Sequence, residues 1–317
     1  MKRVVFVALM LALAVSLSAR PSAARPATQT GAELLNALPD GNAVVLIDVQ
    51  RVTSSALWNM LASQEKFRST FDKIQSSLGE VGLTLNDVQS VAVSFSNADK
   101  NSPAVAVSGR LNQGALVARL RADEKVKLTS ESYKGFEVFR VEQAKPAAGK
   151  QPEVGGFAFL NATTVVAGTP ASVRAAIDVK TGSRASIAQN AKLADALATT
   201  NGAAVRFALE MSAVAGKLPS TPMGDFGSIK LIFGSVDVAT GIDLNATLRN
   251  DTAEHAQALA TQLNGLLDMA RGFLGASKDP KLAPIAAALK SVTITGNELD
   301  VRVTGSLPME VLAQLLH

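Results

Sequence analysis

The chain has 317 residues, 47% of them hydrophobic, with one Trp, one Tyr, no Cys and a formal charge of +4 at pH 7. That is enough apolar material for one large core or two modest ones. The absence of Cys excludes disulfides, thiolate catalysis and Cys-ligated metals, and the shortage of aromatic rings removes platforms for stacking bases.

Lys2 and Arg3 precede an uncharged stretch over residues 4–18 and then small residues including Ser22, Ala23 and Ala24. A charged start, an apolar middle and a small-residue site read as a secretory signal peptide over residues 1–24. A membrane anchor needs about 20 apolar residues, and this run stops at Arg20 and Pro21. With no Cys near the junction, bacterial lipid attachment is excluded. Cleavage after Ala24 removes Lys2, Arg3 and Arg20, so the net charge falls from +4 to +1. A nearly neutral mature chain gives no electrostatic case for nucleic acid. The expectation is a bacterial protein exported to the periplasm or beyond, with no integral membrane segment once the signal is removed.

After a Pro- and Ala-rich stretch, ordered structure is expected from about Glu33. Leu38-Pro39-Asp40-Gly41 reads as a turn, and the apolar run at 44–47 suits a strand covered on both faces. Thr53 or Ser54 caps a helix and Ser63 a second, in which Phe67, Phe71, Ile74 and Leu78 recur every three or four residues. Val91, Val93 and Phe95 alternate with small or polar residues. So do Ile242, Leu244, Ala246 and Leu248, and later Leu299, Val301 and Val303. Period-two patterning means one dry face and one wet face, the antiparallel habit, with helices on one side only. Thr252 or Asp251 caps the longest helix, with Leu259, Leu263, Leu266, Ala270 and Phe273 on one face. Pro284 opens the next helix, Gly296-Asn297 forms a hairpin turn, and residues 308–316 form the last helix. Residues 143–155 read as a flexible hairpin insertion and 215–227 as a loop.

Strand, strand, helix over residues 91–120 recurs over 231–259, and the same order over 157–177 recurs over 292–315. This predicts an α+β protein of two related units, 33–200 and 201–317. Each is expected to be a mainly antiparallel sheet with helices on one face, on a ferredoxin-like split βαβ plan with extra strands.

Leu38-Pro39-Asp40 followed by the strand at 44–49, and Gly168-Thr169-Pro170 leading into Val173, Arg174, Ala175, Ala176 and Ile177, resemble a family of exported bacterial proteins catalogued as a domain of unknown function. Ser186, Asn190, the helix at 191–198 and the strand at 203–209 extend the likeness. The resemblance implies export and the repeat. It brings no catalytic residue.

Ser63-Gln64-Glu65-Lys66 fits S-x-x-K and Lys180-Thr181-Gly182 fits K-T-G, the nucleophile and strand motifs of serine β-lactamases and penicillin-binding proteins. Yet Lys180-Thr181-Gly182 ends a predicted helix, where Gly is a stop signal, and no Ser-Asp-Asn is present. His255 and His317 are isolated, outside any H-E-x-x-H, and cannot make a three-ligand zinc site without carboxylates brought by the fold. Gly79 and Gly82, or Gly155 and Gly156, do not open a helix after a strand as phosphate loops do. Asp195, Asp225, Asp237 and Asp243 form no regular calcium loop. Arg119, Arg121, Asp123, Glu124, Lys125 and Lys127 mix signs as a solvated face does.

Two surfaces remain. Trp58 and Met60, beside Leu57 and Leu61, either line an apolar groove or belong to the core, and Asp243, Asn245, Thr247, Asp300 and Arg302 form a wet sheet face open to a partner. The sequence thus points to a non-enzymatic, exported binding or scaffold protein that needs no cofactor and takes a protein partner or apolar ligand. The alternatives are a carrier of apolar ligands in a cleft between the units, or a serine hydrolase built on Ser63 and Lys66.

Overall fold

A computed structural model describes residues 28–96, 103–144, 151–213, 226–277, 279 and 282–316. The predicted signal peptide lies outside them, as do parts of the segments 143–155 and 215–227.

Helix α1 (Thr28–Leu35) starts ahead of Glu33 and leads through the turn at 38–41 into β1 (Ala43–Asp48). Asp48 ends that strand and caps α2 (Val49–Thr53), its carboxylate accepting the Arg51 amide at 2.9 Å. Ser55, not Thr53 or Ser54, caps α3 (Ala56–Ser63), and Ser63 closes that helix instead of capping α4 (Glu65–Glu80). The hairpin β2 (Val88–Phe95) and β3 (Ala104–Gly109) then passes to α5 (Gln113–Ala122), capped by Asn112. A meander follows: β4 (Val126–Tyr133), β5 (Phe136–Gln143), β6 (Val154–Asn161) and β7 (Thr164–Gly168). Between β4 and β5, Lys134 and Gly135 have φ of 48° and 83°, the left-handed pair that a two-residue type I′ hairpin requires.

Thr169 caps α6 (Pro170–Lys180) with Pro170 in its first turn, as the sequence predicts. Helix α7 (Ala191–Ala198) leads to β8 (Val205–Glu210), and β9 (Ile229–Asp237) and β10 (Gly241–Asn250) complete a second meander. Thr252 caps α8 (Ala253–Ala276), and α9 (Ala283–Lys290), β11 (Thr293–Asn297), β12 (Asp300–Pro308) and α10 (Met309–Leu316) finish the described chain. The hairpin turn falls at Glu298, whose φ is 49°, and Leu299, two residues beyond the predicted Gly296-Asn297.

All of these strands join one 12-stranded sheet in the order β11-β12-β10-β9-β8-β1-β2-β3-β7-β6-β5-β4. Every neighbouring pair is antiparallel. Outward from the central β1·β8 pair, one side runs β1-β2-β3-β7-β6 and the other β8-β9-β10-β12-β11. The same plan of meander, helix and returning strands is thus laid down on both sides. The position 200/201 falls in the turn before β8, but the two halves share one sheet. The expected split βαβ plan is replaced by this meander plan. β7, β6 and β5 lie between β3 and β4, and β12 between β10 and β11, because the helix after each meander carries the chain outward and the strands return toward the centre.

The helices of the second half lie on one face, as expected, although α7 covers Ala208, Leu231 and Phe233 of β8 and β9 on the other, and the first half has helices on both faces. On one face α3, α4 and α5 cover Val91, Val93, Val105, Val107, Phe139 and Phe157. On the other α1, α6 and α7 cover Val44, Leu46, Ala106, Ala158 and Val166. β3 is buried along its whole length, so its unbroken run of small apolar residues is the pattern of a doubly covered strand. In the second half α8 packs Ala256, Leu259 and Ala260 on Val301 and Ile229. The predicted stripe of α8 fails at its end, where Phe273 is 75% exposed. A helix of 24 residues runs about 36 Å, longer than the strands beneath it.

A side chain at Gly109 would run into the Asp87 carbonyl, where β2 carries an irregularity between Val88 and Ser90. Gly109→Ala is expected to cost about 2–4 kcal/mol through backbone displacement in the doubly covered half, read as a lowered urea midpoint.

Candidate functional site

Among the described residues, the first-half and second-half helix layers on the shared face meet only at one end of the sheet's centre, where α3 reaches α10. Val91 and Val93 on β2 lie under α4, and Val301 on β12 lies under α8. Between them β1, β8, β9 and β10 present three apolar cross-strand rows. Ile47, Val205, Val236 and Leu244 form one, Val45, Phe207, Gly234 and Ala246 the next, and Ala43, Leu209, Ile232 and Leu248 the third. These positions are half-buried, except that Gly234 is buried and Leu244 is 38% exposed. Phe95, paired with Ala43, adds a ring that is 36% exposed.

Strand spacing makes this strip about 15 Å across, and no side chain on it is charged or hydrogen-bonding. A Cβ at Gly234 would stand 2.9 Å from the Phe207 ring, so the glycine lets that ring lie flat across the neighbouring strand. At one end the strip is closed by α3 and α10, where Leu57 and Leu312 meet Val236, Ile242 and Leu307. Arg51 clips the same end by donating from Nε and Nη2, one edge of its guanidinium, to the two carboxylate oxygens of Asp237, with Nε 3.3 Å from Oδ1. This pair and two backbone amides keep the Asp237 carboxyl below the usual range, although burial pushes the other way.

The opposite face of β1 and β8 is polar at one point. Asp48, Ser90 and Arg206 line a cavity of about 20 Å³ beneath Gly31 of α1, a size that admits one water. Burial pushes the Asp48 carboxyl above the ordinary aspartate range, against the Arg51 amide and the charges of Arg51 and Arg206. Burial also lowers Arg206, whose Nη1 donates to Asn201 at 2.8 Å.

The residues singled out from the sequence do not assemble into a reactive centre. Ser63 ends α3, its Oγ donating to the Met60 carbonyl at 2.7 Å, and Gln64 breaks the helix before Lys66, so the two are not on one helical turn. The Lys66 side chain is outside the described atoms. Lys180 and Thr181 end α6 on the other face of the sheet, with the Thr181 hydroxyl bonded to the Ile177 carbonyl. His255 is exposed and contacts Asp251 at 2.7 Å, and His317 lies outside the described residues. Among those residues no group of three His, Asp or Glu could hold a metal ion. Nor is any helix among them long and apolar enough to cross a membrane.

Trp58 is core, its ring 5.4 Å from that of Phe71. Met60 is half-buried between α3 and α10. The wet face bearing Asp243, Asn245, Asp300 and Arg302 carries no helix. On it Arg249 grips Asp300 at 2.8 and 2.9 Å, and Thr247 is buried.

No family model and no curated protein matches the chain. Among solved structures it is similar to crystal form I of TP0453, at 10% identity with a TM-score of 0.48, over 89% of this chain and 96% of that one. Crystal form IV of TP0453 gives 10% identity and 0.48 over 93% and 97%.

The raised Asp48 carboxyl sets a pH dependence. Its folded state favours the proton, so the stability linked to it is fully present below the unfolded value of 3.8 and is lost as pH rises through the higher folded value. Asp48→Asn, which still caps α2, removes that loss. The stability of the variant minus that of the wild type is expected to grow from pH 3.5 to pH 7, measured by urea unfolding at each pH. A constant difference would show that Asp48 is not the group responsible.

Proposed function

We propose that this is a non-enzymatic binding protein, exported from a bacterial cell, whose central strip takes the apolar part of its ligand. The observation that carries the reading is the middle of the strip: Val45, Val205, Phe207, Leu244 and Ala246, on four adjoining strands, belong to none of the packed clusters, whereas Leu209, Ile232 and Leu248 pack toward α8, Ile47 toward the first-half core and Val236 toward α3 and α10. Contiguous uncovered apolar surface in a folded domain marks a contact site more often than a packing fault. The absence of a charged group on it favours a ligand segment with nothing polar to desolvate.

Export is supported by the charged and apolar start of the chain. The matched strand order on either side of β1·β8 supports an origin by duplication of one unit, with β4 and β5 added to the first copy. The serine hydrolase reading is disfavoured, because its two motifs lie on opposite faces of the sheet.

Titration of the mature protein with a fluorescent long-chain fatty acid is expected to give saturable binding. Phe207→Asp and Leu244→Lys, each placing a charge on the floor, are expected to weaken it about tenfold or more, since losing one buried large apolar contact removes about 1.5–3 kcal/mol. Circular dichroism should be unchanged. Wild-type protein that shows no saturable binding, and that carries no lipid in native mass spectrometry, would remove the reading.

A further inference from the structure

We propose that β4 is a self-complementary edge through which two copies of this chain pair, antiparallel and centred on Thr129, to join their sheets into one. This inference goes beyond the binding reading and does not depend on it.

Among the described residues the sheet ends at β4, which pairs there with β5 alone. Tyr133 and Phe136 flank the two-residue turn and therefore form a narrow, doubly hydrogen-bonded pair. Bonding direction alternates from there, so the odd-numbered residues of β4 bond to β5 and the even-numbered ones turn their amides and carbonyls to the open edge. The acceptance of the Ala144 amide by the Lys125 carbonyl, at 2.9 Å, follows the same alternation. The Val126 amide is taken by the Asp123 carbonyl at 3.2 Å, which leaves Leu128, Ser130 and Ser132 as the edge groups offered to a partner.

An antiparallel copy must then pair even residues with even ones. Centred on Thr129, Leu128 faces Ser130 of the second copy and Val126 faces Ser132. The odd residues fall in the intervening non-hydrogen-bonded pairs, where side chains come closest. There Thr129 meets its own symmetry mate, and Lys127 meets Glu131 twice, once on each side of the dyad. Sliding by one bonding step either way puts Lys127 against Thr129 or Tyr133 instead, so charge selects the register. Lys127, Thr129 and Glu131 are all exposed, on the same face of the strand. Among the described residues Lys127 makes no ion pair of its own. Glu131 holds Arg174 at 2.6 Å, and a carboxylate accepts a second cation beside the first.

The competing role for a lysine here is to guard a lone edge against pairing. That role predicts a monomer, whereas a closed two-fold pairing predicts a dimer and nothing larger.

The test uses the full mature chain and exploits its lack of Cys. Sedimentation is expected to show a dimer, Lys127→Glu to dissociate it through two like-charge pairs, and the Lys127→Glu/Glu131→Lys exchange to restore it. Under mild oxidation Thr129→Cys should form a covalent dimer, because that position faces itself. Ser132→Cys, which faces Val126, should not. Melting curves identify any variant that fails to fold. A monomeric wild type whose Thr129→Cys form stays uncrosslinked overturns the proposal, as does a dimer indifferent to Lys127→Glu.

Discussion

The pairing of β1 with β8 is the constraint on which the rest of the structure depends. Five residue pairs, from Ala43↔Leu209 to Ile47↔Val205, join two meanders that would otherwise each end in a bare apolar edge. Exposed edges of that composition are hazardous, and here each is the other's cover. The junction is supported from outside the sheet as well, by Arg51 on Asp237 and by α3 against α10. Because both contacts reach from the first half into the second, the sheet at the junction is held in one register.

Face polarity then decides where each helix goes. After β7, helix α6 returns over Val138, Ala158 and Val166. After β12, in the matching position, α10 turns to the other face and packs Leu312 among Leu57, Val238 and Leu307. The strands explain the difference. Where the first half offers Val and Ala on that face, β10 and β12 offer Asp243, Asn245, Thr247, Asp300, Arg302 and Thr304, which an apolar helix could cover only by stranding polar groups. The same plan therefore gives three layers in the first half and, beyond β9, two in the second.

Much of this was legible in the sequence. The strand–strand–helix order, the caps at Thr169 and Thr252, and the dry-and-wet alternation of β10 and β12 are local signals and were readable as such. The apolar run at 44–47 read as a strand covered on both faces and announced a central strand, but only Val44 and Leu46 are buried while Val45 and Ile47 are half-buried. What local pattern could not convey was partnership. Nothing in Val205, Phe207 or Leu209 states that β1 will lie on one side and β9 on the other. Phe273 continues the α8 stripe correctly but has no sheet beneath it, because helix length and strand length are set independently. Ser63 matched a motif while serving as the end of a helix, since four residues of sequence do not specify whether a helix runs through them.

The two faces of the β1·β8 pair are built for opposite purposes. On one, Gly31 brings α1 so close that a Cβ would stand 2.6 Å from both Arg206 and Leu46, and Asp48 and Arg206 lie half-buried beneath it. A buried ionised group tolerates little displacement, because its few partners must stay in place. On the other face Val45, Phe207 and Ala246 need no particular partner, only exclusion from water, and any apolar body of suitable width satisfies them. Fixing the strands from the polar side holds Val45, Phe207 and Ala246 in register, so under the proposed binding reading the floor is ordered in advance. Preorganisation of this kind reduces the ordering cost of association, and it requires the asymmetry seen here, with specificity of fold on one face and adaptability of contact on the other.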